Sequence, residues 1–163
     1  MNEVLLEAFR HNAWATKELL RFCTAEEAAR IDASTTGAYG TIAQTFNHLV
    51  ASEAGYARRC TGTEVAWFGD EHADLETLDA RADELLRLWE TTLTDQVDGT
   101  KKVLLDQGTY ETHMSIIWAQ ALHHGTLHRE QICSILTSLG LEPPDLQVWA
   151  YADATGRSTI KSA

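Results

Sequence analysis

Two histidines four residues apart are the clearest chemical feature of this sequence. His124 and His128 lie in the segment AQALHHGTLHREQICSIL, which contains no proline and has the pattern of a helix. At this spacing a helix puts both imidazoles on one face, about one turn apart. The apolar stripe of the segment passes through both positions and consists of Ile117, Ala121, Ile132, Ile135 and Leu139. Both imidazoles should therefore face the core, where the pair could chelate a metal ion.

A third histidine could complete such a site. His48 lies at the border of the apolar stripe of an earlier segment, beside Thr45 and Ser52, so a modest rotation of its helix would aim it into the same cavity. Burying imidazoles is costly unless each finds a partner, and one divalent cation would satisfy all three. Zinc is the first choice for three histidines without a thiolate, with nickel, manganese or iron as alternatives. The competing interpretation is a set of core histidines satisfied by hydrogen bonds alone.

The four remaining histidines are weaker candidates. His123 adjoins His124 and points about a quarter turn away from it, so we expect it at the surface or in support of the ligands. His11, His72 and His113 have no partner at helical spacing. These three should be structural or solvated residues.

Four amphipathic helices are predicted to position the histidines. The apolar side chains recur at the three-and-four spacing of core-facing helices, and the only two prolines are adjacent and near the end of the sequence. Gly99 and Gly140 follow the last two helices. The four expected helices are residues 4–22, a second helix that begins at its cap Thr41 and ends before Gly62, residues 75–93 and residues 116–139.

One connection between helices has a different pattern. Residues 103–105 and 110–114 flank the turn-like segment 106–108 and form a predicted extended pair. The sequence contains no internal repeat, low-complexity stretch or linker. The simplest architecture is a single all-α domain over 1–163, a four-helix bundle with one long crossover connection.

The tail of the sequence is apolar. Residues 145–156 include Leu146, Val148, Trp149 and Tyr151, and a free solvated end rarely has such a composition. We therefore expect the tail to pack back on the bundle, with Trp149 and Tyr151 buried against it or against a partner subunit.

Composition narrows the partners and the compartment. The formal net charge is -11, and no basic patch is evident, so nucleic acid is not an expected partner. The apolar runs are short and interrupted by charges, and MNEVLLEAFRHNAW lacks the pattern of a signal peptide. We expect a cytoplasmic protein that does not enter the membrane. Its three cysteines form no Cys-x-x-Cys motif and should be reduced: Cys23, Cys60 and Cys133.

Four segments together resemble the DinB/YfiT-like superfamily of metal-binding four-helix proteins. They are HNAWATKELL, FNHLVASE, LHHGTLHREQI and PDLQVWAYADATGR, and they extend over nearly the whole chain. The third is the most specific, because it contains the full His-x-x-x-His-Arg-x-Gln pattern with Arg129 and Gln131. The sequence departs from the family at His123, where asparagine is frequent, and at Glu130, where glycine is common. Neither departure affects the three histidine ligands.

The resemblance implies a homodimer-prone bundle with one divalent metal ion. His48, His124 and His128 would hold the metal, and water or a substrate would complete its coordination. Characterised relatives include S-transferases that use bacillithiol and maleylpyruvate isomerases that use mycothiol, whereas many members have no assigned reaction. The implied cofactors are thus the metal and a low-molecular-weight thiol.

Three hypotheses about function remain open from the sequence. The leading one is a metal-dependent enzyme in which a thiolate at the open metal position attacks a small electrophilic substrate, giving S-transfer or isomerisation. The second is a metal-dependent hydrolase, for which Glu53 is the nearby candidate for a general base. The third is a dimer or ligand-binding protein in which the metal serves folding alone. Catalytic residues other than the metal ligands are not identified.

Overall fold

Six helices and one two-stranded sheet make up the part of the chain that the structure, a computed structural model, describes: residues 3–25, 28–70, 72–93 and 97–159. This confirms the predicted all-α class. The helices are α1 (Glu3–Ala25), α2 (Ala28–Ile31), α3 (Ile42–Thr61), α4 (Leu75–Leu93), α5 (Met114–Ser138) and α6 (Val148–Ala154). The strands are β1 (Lys102–Leu105) and β2 (Tyr110–His113).

The four long helices form the bundle. Helix α1 packs against α4 and α5, and α3 packs against the same two helices. Consecutive helices α4 and α5 therefore lie at diagonally opposite positions in the bundle, and the hairpin belongs to the connection between them. The core between the helices includes a stacked pair, Phe9 of α1 and Trp89 of α4, with ring centroids 4.2 Å apart. None of the helices described combines the length and apolarity that a membrane span requires.

The ends of α3 confirm the sequence prediction and fix the position of His48. The Thr41 hydroxyl accepts a hydrogen bond from Gln44 N over 3.2 Å, and the Gln44 side-chain oxygen accepts one from Thr41 N over 3.0 Å. This reciprocal pair satisfies two backbone donors at the start of the helix. At the other end Gly62 adopts φ +73, a left-handed conformation that glycine tolerates best.

Helix α5 begins two residues earlier than predicted. Met114 N donates to Lys101 O over 2.8 Å and Ser115 N to Gly99 O over 3.0 Å, so the preceding loop satisfies N–H groups of the first turn. The predicted end of the core stripe is wrong, because Leu139 is 40% exposed. Helix α5 ends at Ser138, and Leu139 leaves the helical φ/ψ region.

The hairpin confirms the predicted extended pair, apart from Met114, which belongs to α5 and not to β2. Strands β1 and β2 are antiparallel, with Leu105 opposite Tyr110. A short 3-10 turn, Asp106–Gly108, joins them. Asp106 and Gln107 both have positive φ there, 49 and 58.

The tail packs on α1 as a short helix, but only one of its two predicted anchors is buried. Tyr151 is 4% exposed, and its ring lies 5.6 Å from that of Trp14 and 5.7 Å from that of His11. Trp149 is 77% exposed, so the prediction that it packs on the bundle is wrong. Residues two positions apart in a helix point in directions that differ by about 200°. Because α6 presents Tyr151 to α1, Trp149 points outward.

Candidate metal centre

Three histidines from two helices meet at one point of the bundle. His48 comes from α3, and His124 and His128 come from successive turns of α5. His124 Nε2 lies 3.2 Å from His48 Nε2 and 3.1 Å from His128 Nε2. Each residue thus offers one nitrogen, and the three nitrogens lie within 4.8 Å of one another. The structure brings together the residues that the sequence indicated.

The spacing of these nitrogens fits a metal ion. With Zn–N bonds of about 2.0–2.1 Å, two ligand nitrogens lie about 3.3 Å apart in tetrahedral geometry and about 2.9 Å apart at a right angle. The observed 3.1 Å and 3.2 Å separations fall between these values. Each of these two pairs of nitrogens is close enough to bind one divalent cation together.

Hydrogen bonds between the three rings cannot satisfy all of these nitrogens. A neutral imidazole nitrogen carries either one N–H or one lone pair. His124 Nε2 faces both His48 and His128, so it can form a well-directed hydrogen bond with only one of them. At the second contact, two donors or two acceptors then face each other where water has little access. Leaving such groups unpaired costs free energy. A cation would satisfy both contacts.

A side-chain amide sets the orientation of His128. The Gln131 oxygen lies 2.8 Å from His128 Nδ1 and also accepts from Tyr39 N over 3.3 Å, while the Gln131 nitrogen donates to Gly37 O over 3.4 Å. Because an amide oxygen only accepts, His128 Nδ1 carries the proton. His128 Nε2 then has its lone pair directed toward the other two histidines, as metal ligation requires.

Burial keeps the α5 histidines neutral. Burial, together with the neighbouring imidazoles of His128, His48 and His123, lowers the pKa of His124 to about 4. Burial also lowers the pKa of His128, although its hydrogen bond with Gln131 opposes the shift. Both imidazoles are therefore uncharged at neutral pH, each with one N–H. Neither has to lose a proton before a cation binds to its other nitrogen.

Two tyrosines that the sequence analysis did not identify surround the cluster. The Tyr39 ring stacks on His48 with centroids 4.0 Å apart and meets His128 edge-on at 5.5 Å. The Tyr56 ring meets His124 edge-on at 5.7 Å. Tyr39 lies in a loop between glycines, where the sequence has no periodicity from which its direction could be predicted.

A cavity of about 480 Å³ opens beside the cluster, with His48 in its wall. Helices α3 and α5 supply one side of it, and the hairpin supplies the other. Its wall includes the apolar side chains of Phe68 and Ile117 and the polar ones of Arg59 and Gln120. A reactant could therefore lie next to the histidines and remain partly shielded from water.

Glu53, the sequence-based candidate for a general base, faces the core instead. One carboxylate oxygen accepts from Trp89 Nε1 over 3.1 Å, and the other accepts from Asn12 Nδ2 over 3.1 Å. The residue is 8% exposed and does not belong to the histidine cluster. Within the described part of the chain, no other carboxylate belongs to the cluster either. The assignment of Glu53 as a base at the metal is therefore wrong.

Glu53 is part of a buried polar network that holds α5 in place. Arg129 donates to Asn12 Oδ1 over 2.8 Å and to Thr16 Oγ1 over 3.0 Å, which ties α5 to α1. Burial raises the pKa of Glu53 and lowers that of Arg129 to about 10, and the attraction between the two opposes both shifts. A methyl group on Gly125 would come 2.4 Å from Asn12 Oδ1, so this glycine allows the close approach of the helices.

The remaining histidines do not join the cluster. His123 is exposed on the outer face of α5, and His72 and His113 are also exposed. His11 Nε2 lies 2.8 Å from Leu146 O and connects α1 to the tail. Among the cysteines, all of which lie in the described residues, Cys23 and Cys60 are buried, Cys133 is half-buried, and none forms a disulfide.

Comparison with known proteins identifies the family of the chain. None of the curated proteins matches this sequence. The family model described as DinB family matches residues 1–161, which include all three histidines and the buried network around Arg129. With nearly its whole length matched, the chain belongs to the DinB family.

Proposed function

We propose that this protein is a divalent-metal-dependent enzyme that uses a low-molecular-weight thiol to transfer sulfur to a small electrophile or to isomerise it. The observation that carries the proposal is the convergence of three imidazole nitrogens, 3.1 Å and 3.2 Å from neighbour to neighbour, beside a cavity. Zinc is the expected metal, with nickel, manganese or iron as alternatives. A site of three histidines with an open side is typical of catalytic metal centres.

The three imidazoles would hold the metal between α3 and α5. When bound, the cation supplies positive charge that lowers the pKa of a coordinated thiol, so that thiolate is present at neutral pH. Gln131 keeps the proton on His128 Nδ1 and so directs the lone pair of Nε2 inward. The rings of Tyr39 and Tyr56 pack against His48 and His124.

The proposed transfer has a simple balance. The thiol loses its proton to solvent, its sulfur forms a bond to the electrophilic carbon, and the leaving group departs with the electron pair of its broken bond. No protein carboxylate is needed for these steps. The position of Glu53 in the core supports this reaction over hydrolysis, for which a base beside the metal would be expected.

A purely structural metal is the less favoured function. Structural zinc sites usually close with four protein ligands, whereas the cluster in the described part of the chain has three. The cavity beside His48 leaves room for a further ligand from outside the protein.

Thiol conjugation by the zinc-loaded protein tests the proposal. Several physiological thiols would be offered together with an activated chlorinated aromatic, and the thioether product and chloride would be quantified. We expect conjugation by the native protein and by His123→Ala, whose imidazole lies outside the cluster, and none by His124→Ala. Failure of every thiol at saturating metal would contradict the proposed reaction.

The proposal includes a cytoplasmic homodimer. The support for the dimer is the adjacent pair Trp149 and Val148 on α6, exposed at 77% and 57%, since aromatic side chains are enriched in protein interfaces. Sedimentation of the native protein and of Trp149→Ser tests the dimer. A monomeric native protein would contradict it.

A further inference from the structure

Large apolar side chains that are partly exposed to solvent line the cavity beside His48. Phe68 is 42% exposed, Tyr110 56% and Ile116 57%, and all three line this one cavity. Exposed apolar groups that cluster around a concavity indicate a binding site. The volume of about 480 Å³ is suited to a small molecule.

The polar side of the cavity is dominated by an arginine with unused hydrogen-bonding capacity. Arg59 donates one N–H to Gly55 O over 2.8 Å. No acidic side chain of the described residues forms an ion pair with its guanidinium group, whereas the adjacent Arg58 pairs with Glu64 at 3.0 Å. A guanidinium group has five N–H donors in a fixed plane, an arrangement that matches a carboxylate.

The position of Arg59 is determined by a glycine. A methyl group on Gly55 would come 3.0 Å from Arg59 Nη1 and 3.8 Å from the Phe68 ring. The absence of a side chain at Gly55 therefore lets the guanidinium group lie against α3, close to the aromatic wall. The Arg58 guanidinium group covers one face of the Phe68 ring, 4.5 Å from its centroid. A planar ligand packed against the rest of the ring would have its polar end near Arg59.

The charges around the cavity indicate a single negative charge on the ligand. The chain as a whole has net charge -11, so an anion is attracted only where a local cation outweighs this field. Arg59 provides that cation. Asp106, in the hairpin turn, also lines the cavity and repels anions, so a ligand with one negative charge is favoured over a ligand with two. The other titratable groups of the wall are His48, Tyr56 and Tyr110.

We infer that the cavity beside His48 binds a small monocarboxylate with an aromatic or similarly flat apolar body, and that Arg59 contacts its carboxylate. The inference rests on the proposed function in one respect, because it takes the cavity as the site where a reactant binds. The carboxylate could belong to the thiol or to the electrophile. In either case the same side chains recognise it.

Calorimetric titration of the zinc-loaded protein with benzoate, and with benzyl alcohol as its neutral counterpart, tests the inference. In Arg59→Gln we expect the Kd for benzoate to rise about tenfold, the effect of one charge-assisted contact, and the Kd for benzyl alcohol to change less than about twofold. The matched control is Arg87→Gln, which removes an exposed arginine of α4 that does not line the cavity and should leave both Kd values unchanged.

One further variant tests the charge of the cavity wall. Asp106→Asn should bind benzoate as tightly as the native protein or more tightly, because it removes a negative charge from the wall. Competition of benzoate against the thiol or against the electrophile in the conjugation assay would identify which reactant carries the carboxylate. Because the titration contains neither reactant, it remains decisive for the site even if conjugation is not observed. Equal benzoate affinity in Arg59→Gln and Arg87→Gln, or loss of binding in Asp106→Asn, would overturn the inference.

Discussion

His128 donates its Nδ1–H to the side-chain oxygen of Gln131 over 2.8 Å, within one turn of α5. The same oxygen accepts from Tyr39 N over 3.3 Å. One amide therefore connects the histidine cluster to the loop before α3, and it selects the imidazole tautomer whose Nε2 lone pair faces His124. The tautomer is set by the fold before any metal binds.

Replacement of Gln131 by leucine should weaken metal binding without removing a ligand. Partners of this kind typically contribute about 10–100-fold to metal affinity, so we expect the zinc Kd of Gln131→Leu to rise within that range. A competition titration against a chromophoric chelator would measure it. The matched control is Gln120→Leu on the same helix, whose amide contacts Tyr56 Oη and not a histidine. Equal zinc affinity in the two variants would contradict the role assigned to Gln131.

Local signals predicted most of the helices and the pairing of the two α5 histidines. The cap at Thr41 and the left-handed Gly62 depend on residues close in sequence, and the pairing of His124 with His128 follows from helical spacing alone. The core stripe placed both imidazoles inward. These features need no knowledge of how the helices pack.

The errors occurred where direction depends on tertiary packing. Glu53 lies five residues after His48, a rotation of about 140° around the helix, so α3 directs it toward Asn12 and Trp89 and away from the cluster. Trp149 could be assigned a face only once α6 was known to present Tyr151 to α1. The contact between Tyr39 and Gln131 joins residues 92 positions apart, which no local pattern in the sequence indicates.

Metal content should depend on the α5 pair. We expect about one zinc per chain in the native protein and loss of zinc in the His124→Ala/His128→Ala double variant, because two of the three nitrogens are then missing. Elemental analysis after dialysis would measure this, with His123→Ala as the control. Chelation should lower the melting temperature of the native protein, since a ligand of the folded state stabilises it by mass action. Unchanged zinc content in the double variant would show that the cluster is not the metal site.

The buried network should make a large contribution to stability. In Glu53→Ala the carboxylate that opposes Arg129 is lost, and the hydrogen bonds from Trp89 and Asn12 lose their acceptor. Each buried donor that is left without its acceptor costs about 1–3 kcal/mol of unfolding free energy. Urea denaturation followed by circular dichroism would measure the change. The exposed Glu76 provides a control, because Glu76→Ala should cost no more than about 0.5 kcal/mol.

The attachment of the tail should weaken in acid. Burial raises the pKa of Glu7, but the Tyr151 hydrogen bond and the positive charge of Arg157 outweigh it and bring the pKa below its usual 4.5. A lowered pKa in the folded state means that the stabilisation is present above pH 4.5 and is lost as the pH falls through the folded value. The difference in melting temperature between the native protein and Glu7→Gln should therefore vanish in acid. In Tyr151→Phe, which lacks the hydrogen-bond donor, the stabilisation by Glu7 should begin to disappear nearer pH 4.5. A difference in melting temperature between native protein and Glu7→Gln that persists in acid would argue against the ion pair of Glu7 with Arg157.

Thiol binding should release a proton, and this separates the proposed transferase from a hydrolase. A thiol that binds zinc-loaded protein as thiolate gives up about one proton at neutral pH, because the positive charge of the site favours the anion. Calorimetry of thiol binding in buffers with different ionisation enthalpies would measure the release. We expect the release to be abolished in His48→Ala, which loses the α3 ligand, and retained in His72→Ala, which changes an exposed histidine of the loop before α4. If the protein instead hydrolyses a test ester, the thiol should act as an inhibitor of that reaction. Proton release combined with conjugation supports sulfur transfer, whereas ester hydrolysis inhibited by thiol would assign the site to hydrolysis.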